Sequence, residues 1–254
     1  MKNPLVSVII PYFKKKKFIK HTIYSILNQS YKNLELILVY DDENKDDLVY
    51  IKGILSRVKN KKIIVNKKNY GVSKSRNIAI NFVRGKYTAF IDADDIWHKN
   101  KIKEQVEILN KNKKLDLLYT AYYIIDEKSK ILGFRKVSQN ITYSKLLKEC
   151  EIGLSTVLIK TKILQKYRFP LLETQEDFGL WLRLLRSKFN FFSIPKKFVK
   201  WRKNKNSLSS NNIQKIKDAY RLFYYYENMN FIFSVFCVLV LSFNKFKNNL
   251  IQKN

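Results

Sequence analysis

Two histidines, two cysteines, four prolines and six glycines in 254 residues leave several chemistries short of candidates. Cys150 and Cys237 cannot build a disulfide framework, and no C-x-x-C or Cys/His cluster suggests zinc, so a reducing compartment is expected. With His21 and His98 alone, histidine-based catalysis has little to draw on. No G-x-G-x-x-G or G-x-x-x-x-G-K-[ST] loop occurs, which argues against dinucleotide and P-loop nucleotide sites. A signal peptide is not expected either: the apolar run Leu5 to Ile10 is short, and Pro11 and Lys14 to Lys17 follow it, the reverse of a signal's charge order. Acids are scarce, 21 against 50 Lys+Arg, giving a net charge of +29. Nucleic acid, an anionic membrane surface or phosphorylated substrates would each suit that excess. A composition rich in Lys, Asn and Ile, of the kind AT-rich coding favours, accounts for part of it. No basic motif interleaved with aromatics points to nucleic acid, which is not expected as a partner.

The apolar fraction, 46%, is enough for a full core. Leu5–Pro11, Leu34–Tyr40, Lys61–Asn66 and Tyr87–Ile91 read as strands. Between them, Phe18–Leu27, Lys45–Val58 and Val72–Val83 carry helical spacing. Strand–helix alternation of this kind predicts an α/β fold with a mostly parallel central sheet flanked by helices. Further on, the pattern predicts a long helix to about Asn112, strands over Leu115–Ile125 and Ile152–Ile159, and a short helix over Lys160–Tyr167. Another helix follows Glu176-Asp177.

Acids collect at two strand ends. Asp41-Asp42 closes the second strand, and Asp92, Asp94 and Asp95 lie within four positions after the fourth. Ligands of open α/β sheets bind beyond the carboxyl ends of strands, so both sets are expected to face one crevice. Clustered carboxylates repel one another in a core but suit a divalent cation and phosphates. Asp95 could instead cap a following helix, and Glu176 and Asp177, in a first turn, could be held there by the helix dipole alone.

After Asn212 the chain turns aromatic and then apolar, from Phe231 to Phe243, before Lys245 and Lys247. As a helix that stretch is about 20 Å long, short of the roughly 20 residues a bilayer crossing needs. Two alternatives stand equal: a segment lying on an anionic membrane surface, or a helix packed on the domain or a partner.

Several blocks together resemble family 2 glycosyltransferases. They are Val6-Ser7-Val8-Ile9-Ile10-Pro11-Tyr12, the helix Ile23 to Tyr31, Glu35 to Asp42, Asn69 to Asn77, and Phe90-Ile91-Asp92-Ala93-Asp94-Asp95-Ile96-Trp97. Glu176-Asp177 before Leu180-Trp181-Leu182-Arg183, and Trp201-Arg202 with Ser207-Leu208-Ser209, are similar to the family's later blocks. The resemblance implies a GT-A fold, with a nucleotide-sugar half over 1–112 and an acceptor half over 113–211; the change of character after Asn212 sets off a helical tail over 212–254. It implies inverting transfer of a sugar from a nucleotide-diphosphate donor to a saccharide or lipid-linked saccharide, in surface polysaccharide or glycoconjugate assembly. A cytoplasmic position, peripheral at the inner face of the membrane, goes with that role.

Carried onto this sequence, the family's motifs put Pro11 and Tyr12 beside the base and Asp42, with Asp41, as acceptors from it. Arg76 would lie near the base or diphosphate. Asp92 would serve the ribose or metal shell, Asp94 would ligate Mg2+ or Mn2+, and Asp95 would stand behind them. Asp177 is the expected base and Glu176 the second choice, with Trp181 and Arg202 toward acceptor or diphosphate. Three departures stand out: Glu43-Asn44 where Gly-Ser is usual, Lys99-Asn100 where Pro-Asp is usual, and Asn204 where a histidine is expected. They motivate a second reading, a catalytically weak module of the same fold that binds sugar nucleotide or membrane surface.

Overall fold

The computed structural model describes residues 3–204 and 211–251, with side chains as far as residue 244. Strands β1 (Val6–Tyr12), β2 (Leu34–Tyr40), β3 (Lys61–Val65) and β4 (Tyr87–Phe90) pair in parallel in the order β3-β2-β1-β4. Beyond β4 the sheet becomes mixed. A hairpin, β6 (Leu117–Ile125) with β7 (Ile131–Arg135), joins it through β8 (Leu158–Lys160), which runs antiparallel to both β4 and β6. The long strand β9 (Phe191–Arg202) lies parallel to β6, and β5 (Ile96–Trp97) closes that edge antiparallel to β9.

Because side chains alternate across a strand, each central strand feeds two cores. Ile9, Ile37, Val39 and Phe90 point to one face; Val8, Ile10, Leu38 and Ala89 point to the other. The second face is covered by α1 (Lys16–Leu27), α2 (Asp46–Leu55) and α4 (Lys101–Lys111), through Ile19, Ile23, Ile51, Leu55, Ile102 and Val106. The first is covered by α3 (Val72–Ile80), α5 (Tyr143–Lys148), α6 (Thr161–Lys166) and α7 (Glu176–Arg186). Ala219 of α8 (Asn212–Arg221), Leu222 and Phe223 of the π-helical turn after it, and Cys237 and Val238 of α9 (Phe231–Ile251) share that same core. Strands buried on both sides carry continuous apolar runs, which is why Val8–Ile10 and Leu36–Tyr40 lack polar alternation.

Two expectations need correction. Residues 152–159 do not form one strand: Leu154–Thr156 is a 3-10 turn, and only Leu158–Lys160 joins the sheet. The turn aims two carbonyls at buried side-chain donors, Ser155 O at Trp97 Nε1 (2.8 Å) and Thr156 O at Gln105 Nε2 (2.9 Å). Nor does Asp95 cap a helix. Strand β5 follows it, and α4 starts only at Lys101. The apolar stretch from Phe231 is helical and continues to Ile251, yet no described helix is long and apolar enough to cross a membrane.

Candidate active site

The ends of β1, β2 and β4 set the site's floor. Register aligns Tyr12 with Tyr40, so Asp41 and Asp42 leave the sheet beside the end of β1. Asp41 is buried and fully used: Oδ1 accepts from Asn66 Nδ2 (2.7 Å) and Tyr70 N (2.8 Å), and Oδ2 accepts from Gly71 N (2.9 Å). It thereby pins the turn that starts α3, where Gly71 takes φ 84°, a region glycine enters without strain. The Asp42 carboxylate accepts from Asn44 N at 3.2 Å, and the Asp42 carbonyl accepts from Lys45 Nζ. Glu43-Asn44 thus belongs to a turn that runs into α2, with Asn44 Nδ2 donating to Asp46 at 2.8 Å. Tyr12 is completely buried, stacks on Tyr40 with ring centroids 5.1 Å apart, and donates its hydroxyl to Asp47 (2.5 Å). Of the pair expected at the base, only Pro11 keeps partial exposure.

Arg76, projecting from α3, holds the centre. Its Nη2 donates to Asp92 Oδ1 at 2.6 Å, and its Nη1 is paired with Glu176 at the start of α7. It is 2% exposed, so both ion pairs work in a low-dielectric setting. Burial alone would lower the guanidinium's pKa, but Asp92, Glu176 and Asp177 together raise it. Glu176 is pushed up by burial, against the pull of Arg76. Asp177 is half-buried, with Oδ1 accepting from Phe178 N at 2.7 Å. Burial and then the Glu176 charge push its carboxyl up to about 7, against Arg76. Gln175, in front of both acids, sits in a left-handed conformation (φ 61°) that turns the chain into the helix.

On the far side, Asp94 Oδ2 meets Lys15 Nζ at 2.8 Å and also accepts from Asn204 Nδ2. Burial raises the Asp94 carboxyl; Lys15 opposes the rise and the Asp92 charge adds to it. Asp95 is 1% exposed, accepts from Arg202 N (2.9 Å) through Oδ1, and burial followed by the Asp94 and Asp92 charges pushes it well up. Ser155 Oγ accepts from Asp92 N at 3.1 Å, fixing the strand end from behind.

Arg202 and Trp181, expected toward acceptor or diphosphate, belong to the frame instead. Arg202 donates Nε to Asp94 O (2.9 Å) and Nη1 to Asp126 O (2.7 Å), and its guanidinium lies over the Phe18 ring. Trp181 is completely buried, edge-on to Phe169 and Phe191, so it cannot touch a ligand in this conformation. Ser207-Leu208-Ser209 lies outside the described residues.

Lys15 and Ser155 are the residues that sequence reasoning missed. Lys15 stands in a run of four lysines that looks like solvated charge, and the left-handed Lys14 (φ 49°) is what turns it inward. Two contact groups thus flank the end of β4, Asp92–Arg76–Glu176 with Asp177 next to Glu176, and Lys15–Asp94–Asn204, joined through the chain from Asp92 to Asp94.

Among the described residues no three side chains of metal-binding type gather. Two hard carboxylate donors do stand at one strand end, Asp92 with a 36% exposed side chain and Asp94 beside it. Mg2+ and Mn2+ are commonly held by one or two carboxylates with phosphate oxygens and water completing the shell, so this donor set fits.

Solved structures share this architecture. S. aureus TarS in complex with UDP-GlcNAc superposes with a TM-score of 0.71 at 20% identity, over 86% of this chain and 64% of that one. The mannosyltransferase PcManGT from Pyrobaculum calidifontis, in complex with GDP-Man and Mn2+, gives 0.70 at 13% identity, over 91% of this chain and 66% of that one. The fold is therefore GT-A.

Residues 7–167 match the family described as Glycosyl transferase family 2, and the chain belongs to it. Relatives include the Escherichia coli UDP-Glc:alpha-D-GlcNAc-diphosphoundecaprenol beta-1,3-glucosyltransferase WfgD, 36% identical over 85% of this chain and 84% of its own. The putative teichuronic acid biosynthesis glycosyltransferase TuaG of Bacillus subtilis is 29% identical over 98% of both chains. The chain is a glycosyltransferase, and its relatives include one named for transfer to a diphosphoundecaprenol-linked sugar and one named for teichuronic acid biosynthesis.

Proposed function

We propose that this glycosyltransferase moves a sugar from a nucleoside-diphosphate donor to a hydroxyl of a lipid-linked saccharide, with inversion at the anomeric carbon. Residues 1–112 would hold the donor and 113–211 the acceptor, with 212–254 as an appended helical tail. The observation that carries the reading is the chain Asp92–Arg76–Glu176, which runs through a buried guanidinium and ties the donor-side strand end to the helix start bearing Asp177. The lipid-linked acceptor is drawn from WfgD, whose name specifies a diphosphoundecaprenol-bound sugar.

Each role follows from local chemistry. Asp42 accepts from the nucleobase, since Asp41 is consumed by the Asn69–Gly71 turn, and Pro11 borders the base. Asp94, with Asp92, would hold Mg2+ or Mn2+. When bound, such an ion supplies positive charge to the leaving diphosphate. Lys15, 2.8 Å from Asp94, adds a fixed cation at the same strand end. Asp177 takes the proton of the acceptor hydroxyl as its oxygen bonds to the anomeric carbon. The bond from that carbon to the diphosphate oxygen breaks on the opposite face, and its electron pair leaves with the diphosphate. A carboxyl pushed up to about 7 suits a base working near neutrality better than an ordinary carboxylate. Arg76 holds Glu176 in place beside it.

Conversion of Asp177→Asn tests this assignment. Turnover should fall while affinity for the donor nucleotide, measured by calorimetry, stays within about twofold. A variant that lost donor binding in parallel would place Asp177 in the donor pocket and refute its role as base. A binding module without turnover, the second reading, would show no activity to lose.

A further inference from the structure

Helix α9 is apolar on two opposite faces, and the domain covers only one of them. At about 100° per residue, Ser234, Cys237 and Val238 fall on one side, and all three are buried against the domain. Ile232, Phe236, Leu239 and Phe243 fall within about 60° of one another on the opposite side. Their exposures are 80%, 57%, 63% and 67%. Isolated exposed apolar residues are ordinary, but a continuous helical stripe of them marks a contact surface. Tyr225, 65% exposed in the π-helical turn before α9, extends the apolar surface of the tail.

Charge selects the occupant. From residue 211 onward the sequence holds six Lys and Arg but only two acids, Asp218 and Glu227. Both acids are buried, so the described surface of this tail exposes cations and no carboxylate. Asn244 Nδ2 donates to Lys148 O at 2.9 Å, which brings the far part of α9 against α5, where Lys145 and Lys148 are exposed. A second copy would bring the same cations and a net charge of +29 to the same contact. An anionic surface would meet apolar side chains and cations together.

We infer that the exposed stripe of α9 docks the protein flat on an anionic phospholipid bilayer, with its Phe, Ile and Leu side chains among the acyl chains and exposed cations of the tail, such as Lys217 and Arg221, drawn to the headgroups. The same tail is anchored to the reactive acids. Asp218 Oδ2 in α8 accepts from Thr174 N (2.8 Å) and Thr174 Oγ1 (3.0 Å), two residues before Glu176. A docked α8–α9 unit would thus hold the start of α7 at a fixed place relative to the lipid surface. Docking does not depend on transfer chemistry; its value for a lipid-borne acceptor rests on the reaction proposed for the site.

Sedimentation of the full chain with vesicles tests this directly. With one part phosphatidylglycerol to two parts phosphatidylcholine, the protein should pellet, and phosphatidylcholine alone should hold much less. Added salt should weaken the association, because the headgroup attraction is screened while the apolar part is not. Ile232→Ser, Phe236→Ser, Leu239→Ser and Phe243→Ser combined should reduce pelleting about tenfold or more. The replaced side chains face away from the core, so the variant should keep the wild-type melting temperature. If the combined variant fails to fold, the pair Ile232→Ser and Leu239→Ser should still reduce pelleting several-fold. Wild-type protein left in the supernatant with the anionic vesicles would overturn the inference. So would a folded variant that pellets as well as wild type. A stable wild-type dimer by light scattering that the substitutions convert to monomer would overturn it too, making a second copy the occupant of the stripe.

Discussion

Arg76 and Glu176 stand a hundred residues apart in the chain and form one buried ion pair, with Asp92 completing it from the other side. A buried cation between two carboxylates is held by reciprocal need, since removing one member leaves the others charged without compensation. Arg76→Ala should therefore destabilise the fold by about 3–5 kcal/mol, measured by denaturant unfolding. Arg76→Lys keeps the charge but loses the two-armed fork, and should recover only part of that stability.

The raised Asp177 carboxyl gives pH dependence a definite sign. A carboxyl that binds its proton more tightly in the folded chain stabilises the fold at low pH, and that contribution is lost as pH rises from about 4, the unfolded value, to about 7. Activity should do the opposite and rise through about pH 7 as the base ionises. Asp177→Asn should lower turnover about 10²–10⁴-fold. In parallel it should flatten the stability change between those two pH values, which thermal unfolding at several pH values would read.

Asp41 makes a contrasting prediction, because it serves structure. Its oxygens satisfy two backbone amides and the Asn66 side chain in a buried loop. Asp41→Ala would strand these donors and should destabilise by about 2–4 kcal/mol. Asp42→Ala should leave stability within about 1 kcal/mol and instead weaken nucleotide binding, measured by calorimetry.

Gly179 explains how tightly the tail seats on α7. A Cβ there would come within 2.7 Å of Leu222 Cδ1 and 2.8 Å of Pro170 Cγ. Gly179→Ala should force the π-helical turn away from α7 and destabilise by about 1–3 kcal/mol. Proteolysis of the tail should become faster in step.

Much of the donor side was legible in the sequence because buried parallel strands write themselves as unbroken apolar runs. Val8–Ile10 and Leu36–Tyr40 do so, and the acids that follow β2 and β4 mark those strand ends. The far side of the sheet was harder to read. Strand β9 carries Pro195 and several lysines, shifts register against β6, and alternates irregularly, so neither period stands out. Strand β5 is two residues long, and α5 only six. Asn204 lies where a histidine was expected, yet the fold still brings it to Asp94, so the substitution keeps a hydrogen-bond donor at that oxygen. Lys15 was hidden by its neighbours: only the left-handed Lys14 separates a half-buried, paired cation from a solvated run. Local periodicity cannot report a contact between Lys15 and Asp94, which depends on where two loops meet.

The central claim is that the carboxylates around Arg76 form a transfer site with Asp177 as its base. Its most direct test is a transfer assay with UDP- and GDP-sugars, Mn2+ and a polyprenyl-diphosphate sugar acceptor, with the product's anomeric configuration read by proton NMR. The account predicts a product of opposite configuration to the donor, formed by the wild-type chain and lost in Asp177→Asn. A product that retains the donor's configuration, or an Asp177→Asn variant that turns over as fast as wild type, would contradict it.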